Sequence, residues 1–292
     1  MKFLVLGAGG AGAIHCRVLT KLAQEVCVYD PRTEQSKPLA KETGVVEVQD
    51  AEGDYDCTVV ATTCNLHREL VERELALGRK VVCEKPLALT AEDARAIAAL
   101  PDVFVAESQA YCEEDGLGVR RMATAIEAGE FGWPVFLRVC TMTTYRPQTW
   151  CEDLAVGGGA FIEGGAHMLA VARILFGEAK AWFGSTRSFS GGTGPDTGTF
   201  VVDYEGDHQL LLQIAWGVRG CLTGACQPLN TSFGLFGPRR AEGWWPGDNH
   251  ELMWRHLLKC LQGDVEPVAT LDHAAGAIED AWKCYEVAGV SL

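Results

Sequence analysis

The chain has 292 residues and carries 39 acidic against 25 basic side chains, which gives a formal net charge of -14. This balance excludes a surface built to bind nucleic acid or anionic membrane lipid, because either partner requires clustered lysine and arginine. The length reaches the size at which single hydrophobic cores stop growing, about 250–300 residues, so we expect two domains. Twelve cysteines at scattered spacings, without a CxxC pair, indicate reduced thiols in a cytoplasmic protein and no metal site.

Helices and buried strands alternate along the first part of the chain. Short apolar runs predict the strands, and amphipathic stretches between them predict the helices. In chain order these elements cover residues 2–6, 11–23, 26–29, 34–43, 45–48, 58–61, 66–77, 80–83, 91–100 and 103–106. This alternation predicts an α/β Rossmann domain, with a parallel doubly wound sheet, over residues 1–112. The first apolar run, residues 3–6, is too short to span a membrane.

From residue 113 onward the pattern changes to longer runs that are typical of an antiparallel sheet. Helices are predicted at 117–128 and 162–176, and strands at 135–144, 179–188, 198–204, 209–216 and 232–237. We therefore expect an α+β domain with a large, mostly antiparallel open sheet over residues 113–292, and a ligand cleft between the domains. An open sheet with one apolar face needs a cover, which predicts a homodimer or a homotetramer.

A glycine-rich turn separates the first strand from the first helix. It consists of Gly7, Ala8, Gly9, Gly10, Ala11 and Gly12 and fits the pattern GxGxxG. The first glycine of such a turn permits the tight bend, the second lets the backbone approach a pyrophosphate, and the third lets the helix pack on the strand. The helix N-terminus attracts the anion. The turn therefore predicts a dinucleotide site, and a turn without a ligand is the alternative.

An acidic residue, Asp30, ends the second predicted strand. A carboxylate at this position accepts hydrogen bonds from the adenosine ribose and repels a 2′-phosphate, which favours NAD over NADP. Arg32 lies two residues later and offers a partner for such a phosphate, so NADP is the alternative cofactor.

Further motifs follow in an order that is specific as a set. They are Ala61-Thr62 followed by His67, then Glu84-Lys85-Pro86, then Gly157-Gly158-Gly159 followed by Glu163-Gly164-Gly165-Ala166-His167. With the glycine turn, these motifs resemble the glucose-fructose oxidoreductase, inositol dehydrogenase and MocA (Gfo/Idh/MocA) family over essentially the whole chain. The resemblance implies cofactor contacts, beyond the glycine turn, from Asp30, Arg32, Thr62, Thr63, His67, Glu84 and Lys85.

Three residues of these motifs are candidates for catalysis. Lys85 follows a parallel strand, whose carboxyl end faces the ligand crevice, and its ammonium group would stabilise a developing alkoxide. Glu163 and His167 are four residues apart, which predicts one face of a single helix. His167 suits the acceptance of a hydroxyl proton, and the resemblance implies that Glu163 orients it. The alternatives are a surface lysine and a buried, hydrogen-bonded histidine without a catalytic role.

Three positions depart from the family pattern. Glu163 stands where the family typically has aspartate, Thr63 where it has proline, and Tyr111-Cys112 where it often has tyrosine and arginine. These changes weaken what the resemblance implies about the substrate more than what it implies about the cofactor.

The candidate substrate contacts are Glu163, His167 and a preceding loop with Tyr145, Arg146 and Trp150. Sugar-binding sites use aromatic faces and fixed hydrogen-bond donors, which favours these residue types. For Trp150, an anchor of the loop in the core is the alternative.

The sequence thus predicts an NAD(P)-dependent oxidoreductase that transfers a hydride between nicotinamide and a secondary alcohol or ketone of a sugar, cyclitol or related polyol. One alternative is an enzyme that recycles its bound NAD while it cleaves a glycoside or eliminates a group. The other is a non-catalytic NAD-binding regulatory protein.

Overall fold

The computed structural model describes residues 1–111, 118–142, 150–216, 232–244 and 249–292. Within these ranges the chain folds into two six-stranded sheets with helices packed against them. No helix in the described ranges is long and apolar enough to cross a membrane.

The first sheet is the parallel, doubly wound sheet that the sequence predicts. Its elements are β1 (Lys2–Leu6), α1 (Gly10–Lys21), β2 (Glu25–Tyr29), α2 (Thr33–Thr43), β3 (Val46–Glu47), β4 (Cys57–Val60), α3 (His67–Ala76), β5 (Lys80–Glu84), α4 (Ala91–Ala98) and β6 (Val103–Ala106). The strands lie in the order β3-β2-β1-β4-β5-β6, and each neighbouring pair is parallel. Strand β1 is buried from Phe3 to Leu6, as expected of a strand covered on both faces. The carboxyl ends of the strands therefore share one edge.

The second sheet is the mixed, mostly antiparallel sheet of an α+β domain. The elements are α5 (Gly118–Glu127), β7 (Phe136–Met142), α6 (Gly159–Glu163), α7 (Gly165–Phe176), β8 (Ala179–Arg187), β9 (Thr197–Tyr204), β10 (Gln209–Ala215), β11 (Ser232–Phe236), β12 (Ala241–Trp244), α8 (His250–Gln262) and α9 (Leu271–Val287). The strand order is β12-β11-β7-β10-β9-β8, and β7 and β10 are the parallel pair among antiparallel neighbours.

This second sheet has one face in the core. In β9, Phe200, Val202 and Tyr204 are buried, whereas Val201 and Asp203 between them are half-buried. Helix α9 packs on β8, and α7 packs on β10. Such alternation is expected when one side of a sheet is covered. The predicted homodimer or homotetramer stays a prediction.

Helix α8 comes late in the chain but packs on the first sheet. Its Trp254 is fully buried and meets Phe3 edge-on, with the ring centroids 5.7 Å apart. The indole Nε1–H of Trp254 donates to Nδ1 of His15 in α1 at 2.9 Å. The predicted domain boundary after residue 112 stays a prediction, since residues 112–117 lie outside the described ranges.

Candidate active site

The glycines of the turn lie at the edge of the first sheet, and a side chain would have a different effect at each position. Gly7 has φ +98°, and a Cβ there would lie 2.5 Å from the Ala61 carbonyl oxygen. A Cβ on Gly12 would overlap the Gly7 carbonyl group, so α1 packs on the turn only with glycine at this position. At Gly9 and Gly10 a Cβ would meet nothing within 4 Å, because these residues face open space. The N-cap residue of α1 is Gly9, which has no side chain that could cap the helix, so the first N–H groups of α1 suit an anion.

Asp30 lies at the end of β2 with its carboxylate buried beside the turn. Oδ2 accepts from the Ala8 N–H at 2.9 Å, and Oδ1 accepts from the Arg32 N–H at 2.9 Å and from Arg32 Nε at 3.2 Å. Burial alone would raise the pKa of Asp30, but the hydrogen bonds from Arg32 and Ala8 hold it below its usual range. A fixed negative charge therefore stands where a dinucleotide would place its adenosine ribose.

A cavity of 560 Å³ runs along this edge and collects most of the predicted cofactor residues. Its lining includes Gly7, Gly9, Gly10, Ala11, Asp30, Arg32, Thr62, Thr63, Glu84, Lys85, Trp150, Cys151 and Glu163. Ligand pockets of about 300–1,000 Å³ are usual. Glycine turn, helix N-terminus, acid and cavity together fit a bound dinucleotide.

Three predicted cofactor residues, Ala8, Gly12 and His67, are not among the residues that line the cavity but contact or position residues that do. Ala8 holds Asp30, and Gly12 allows α1 to approach. His67 is buried, and its ring nitrogens lie 3.1 Å from the Thr62 carbonyl oxygen and 3.3 Å from that of Leu87. Burial holds the pKa of His67 below its usual range, so the ring is neutral at pH 7.

Lys85 follows β5 and forms an ion pair with a residue of the second sheet's domain. Its Nζ donates to Glu163 Oε1 at 2.9 Å and to the Glu163 carbonyl oxygen at 3.2 Å. Burial lowers the pKa of Lys85, but Glu163 and Glu84 raise it by more, so that it lies above its usual value. Burial would raise the pKa of Glu163, but the charge and the hydrogen bond of Lys85 hold it below the usual range. Both groups are charged at pH 7.

Glu163 and His167 have different hydrogen-bond partners in the structure, and the predicted orienting role of Glu163 stays a prediction. Helix α6 ends at Glu163 and α7 begins at Gly165, so the two residues do not share one uninterrupted helix. The Glu163 carboxylate is engaged by the Lys85 ammonium, which is a charged partner at hydrogen-bond distance. Nδ1 of His167 instead lies 2.6 Å from Oε1 of Glu107, which directly follows β6.

Glu107 was not among the site residues predicted from the sequence. A signal was present, because Glu107 follows a parallel strand as Lys85 does, and an acid at the carboxyl edge of the sheet faces the ligand crevice. Its partner lies 60 residues further along the chain, a separation that local spacing does not reveal.

Glu84 holds the backbone of Lys85 through a buried chain of hydrogen bonds. The Lys85 N–H donates to Glu84 Oε2 at 2.9 Å, and His15 Nε2 lies 2.6 Å from Glu84 Oε1. Because the Trp254 indole only donates, Nδ1 of His15 is the acceptor and Nε2 carries the hydrogen. Burial would raise the pKa of Glu84, but the bond from His15 and the charge of Lys85 lower it to about 2.

The candidate substrate contacts are only partly described. Trp150 lines the cavity beside Cys151, whereas Tyr145 and Arg146 lie outside the described residues. In the part of the chain that the structure describes, no three His, Cys, Asp or Glu side chains are grouped to hold a metal ion.

Comparison with known proteins links both halves of the chain to one family. Residues 1–102 match the GFO/IDH/MocA model described as an oxidoreductase family with an NAD-binding Rossmann fold, and residues 119–227 match the GFO/IDH/MocA C-terminal domain. The rhizopine catabolism protein MocA of Rhizobium meliloti is 28% identical over 279 residues, which are 90% of this chain and 83% of that protein. The scyllo-inositol 2-dehydrogenase (NAD(+)) of Bacillus subtilis is 28% identical over 194 residues, 61% of this chain and 54% of that protein.

Solved structures share the fold over nearly the whole chain. The WlbA dehydrogenase from Bordetella pertussis, in complex with NADH and UDP-GlcNAcA, has a TM-score of 0.82 at 22% identity and covers 99% of this chain and 97% of its own. A myo-inositol dehydrogenase from Corynebacterium glutamicum has a TM-score of 0.78 at 17% identity, with 99% and 96% covered. The two family matches lie on the two sheets, and the chain therefore belongs to the Gfo/Idh/MocA oxidoreductase family, with that family's NAD-binding Rossmann domain at its N-terminal end.

Proposed function

We propose that the protein is a cytoplasmic dehydrogenase or reductase that transfers a hydride between nicotinamide and a secondary alcohol or ketone of a sugar, cyclitol or related polyol. The observation that carries the proposal is the ion pair between Lys85 and Glu163, since both residues line the same cavity as the glycine turn. Relatives named inositol 2-dehydrogenase and D-apiose dehydrogenase support the substrate class. The scattered spacing of the twelve cysteines supports a reducing compartment.

The charge states of the site support the following roles. Lys85 has a raised pKa and stays an ammonium, so it donates a hydrogen bond to the substrate oxygen and stabilises negative charge that develops there. Glu163 and Glu84 have lowered pKa values and are weak bases at pH 7. His167 is not among the residues that line the cavity, but it lies near enough to the Glu163 carboxylate for its charge to lower the pKa of Glu163, and we assign it as the acceptor of the hydroxyl proton.

The geometry at His167 suits this role. Its Nδ1 faces Glu107, and the described residues make no hydrogen bond to Nε2. This supports Nε2 as the acceptor of the proton of the substrate hydroxyl group. Bound NAD supplies the hydride acceptor, or NADH the hydride donor.

The Asp30 carboxylate supports NAD over NADP as the cofactor. It is buried, ionised and positioned at the end of β2, where it would repel a 2′-phosphate. The guanidinium of Arg32 is engaged by the same carboxylate rather than held clear for a phosphate.

Substitution of the two groups tests the proposal. Lys85→Met and His167→Ala should each reduce kcat/KM for a polyol by about 10²-fold or more, because one removes the oxyanion donor and the other removes the base. Lys259→Met, an exposed lysine of α8, serves as the matched control and should keep full activity. The assay follows the absorbance of reduced nicotinamide across a panel of sugars and cyclitols, and tryptophan fluorescence checks that His167→Ala still binds NAD.

Three outcomes would overturn the proposal. Unchanged turnover in both variants removes the mechanism. Product formed without net change in reduced nicotinamide indicates the NAD-recycling cleavage or elimination reaction instead. NAD binding without turnover over the whole panel indicates a regulatory protein.

A further inference from the structure

We infer that Glu107 is the positioning residue of His167, and that Glu163 serves Lys85 instead. Glu107 holds the imidazole by its Nδ1–H and thereby presents Nε2 to the substrate. The inference rests on the proposed function of His167 as proton acceptor and adds Glu107, which lies outside the sequence motifs described above.

The contact between the two side chains is short and shielded from water. Oε1 of Glu107 lies 2.6 Å from Nδ1 of His167, and the exposed fractions of the two side chains are 2% and 15%. The same Oε1 accepts the backbone N–H of Gln109 at 3.0 Å. Since this oxygen already acts as an acceptor toward Gln109, we infer that it also accepts from His167, with the hydrogen of the 2.6 Å contact on Nδ1. A neutral ring with hydrogen on Nδ1 has its lone pair on Nε2.

Rigid elements hold both partners. Glu107 directly follows β6, the last strand of the first sheet, and its carboxylate is anchored by the N–H two residues on. His167 lies in the first turn of α7, which is buried along most of its length. A hydrogen bond between two such elements fixes the ring orientation more firmly than one from a mobile loop.

Glu163 is committed elsewhere and does not compete for Nδ1. Its Oε1 accepts from Lys85 Nζ at 2.9 Å, and its backbone oxygen accepts from the same ammonium at 3.2 Å. The site therefore uses two acids, the buried Glu107 for the histidine and the partly buried Glu163 for the lysine.

The arrangement also accounts for the proton that His167 takes up. In the proposed reaction the substrate hydroxyl group would give its proton to Nε2, while the carbon that bears this hydroxyl group would give a hydride to NAD. The ring would then be a cation with hydrogen on both nitrogens. The Glu107 carboxylate then faces that cation through a charge-assisted hydrogen bond. On return of the proton to solvent, the ring regains the Nδ1–H form.

The test is the position of the ring hydrogen, which a merely structural role of Glu107 would not determine. The protein is labelled with ¹⁵N at its seven histidines, and long-range ¹H–¹⁵N spectra assign the tautomer of each ring. Loss of one set of signals in His167→Ala identifies residue 167. We expect hydrogen on Nδ1 in the wild type and a shift toward Nε2 in Glu107→Gln, whose amide N–H₂ can donate to Nδ1.

Kinetics complete the test. Glu107→Gln should lower kcat by about 10²-fold while the KM for NAD stays within about threefold, and Glu107→Asp should recover part of the loss because it keeps the charge. Glu163→Gln is the matched control for the spectrum, since it removes the other acid and should leave hydrogen on Nδ1 of His167.

The possible failures are distinguishable. Hydrogen on Nε2 in the wild type overturns the role of Glu107, and this reading requires no variant of Glu107 to fold. An unchanged tautomer and an unchanged kcat in Glu107→Gln overturn it as well, while an inactive His167→Ala would leave the proposed function standing. Full activity of His167→Ala would instead overturn the proposed function itself.

Discussion

Replacement of Glu84 by glutamine tests the buried hydrogen-bond chain behind Lys85. The carboxylate is 4% exposed and accepts from two donors, His15 Nε2–H and the Lys85 N–H. Glutamine has one carbonyl oxygen, so its amide group must face one of these donors. We therefore expect Glu84→Gln to lose the stabilisation that the ionised acid provides.

The size of this loss follows from the pKa of Glu84. It is about 2, against an ordinary value of 4.5, and each unit corresponds to about 1.36 kcal/mol. Because the folded-state pKa is the lower one, the stabilisation is present above pH 4.5 and is lost as the pH falls through about 2. The ionised group thus contributes about 3 kcal/mol at pH 7 and about 1 kcal/mol at pH 3.

Urea unfolding of wild type and Glu84→Gln at both pH values measures the difference. The free energy of unfolding should fall by about 3 kcal/mol at pH 7, and less than half of this loss should remain at pH 3. Glu127→Gln, an exposed acid at the end of α5, is the control and should change stability by less than about 0.5 kcal/mol. A loss under about 1 kcal/mol at pH 7, or an equal loss at both pH values, would refute the reasoning.

Two further predictions concern the dinucleotide site. Asp30→Ala removes the charge that repels a 2′-phosphate and releases Arg32. The ratio of the NADP Kd to the NAD Kd should therefore fall by about tenfold or more, a change of about 1.4 kcal/mol. An unchanged ratio in fluorescence titrations would contradict the role of Asp30. Gly12→Ala places a Cβ on the Gly7 carbonyl group and should lower the free energy of unfolding by about 1–3 kcal/mol. Gly10→Ala, where a Cβ meets nothing within 4 Å, is the stability control; equal effects of the two changes would argue against the packing of α1 on the turn.

The sequence was sufficient to predict the first sheet because each of its signals is local. Strand β1 is a continuous apolar run, the glycine turn follows it directly, and Asp30 ends the next strand. A parallel sheet then brings all carboxyl ends to one edge, so the place of Lys85 followed from the order of elements alone. Contacts such as that of Gly12 with the Gly7 carbonyl group are consequences of the same short segment.

The pairing of the acids was beyond local reasoning. A spacing of four residues on a helix predicts that two side chains are neighbours, but it does not show that the Lys85 ammonium engages the Glu163 carboxylate. The contacts that form instead, Lys85 with Glu163 and His167 with Glu107, join residues 78 and 60 positions apart. Such pairs depend on how the two sheets are placed, and no pattern within a single element encodes that placement.

Each of the two long-range pairs joins a residue of the first half of the chain to a residue of the second half. Lys85, at the edge of the first sheet, takes its counterion Glu163 from α6, whereas His167 of α7 takes its acid Glu107 from the end of β6. Each half thus supplies one reactive group and the acid that holds the reactive group of the other. Neither half contains a complete pair, so the site exists only when both halves are docked. A motif search within either half therefore finds the reactive groups without the partners that orient them.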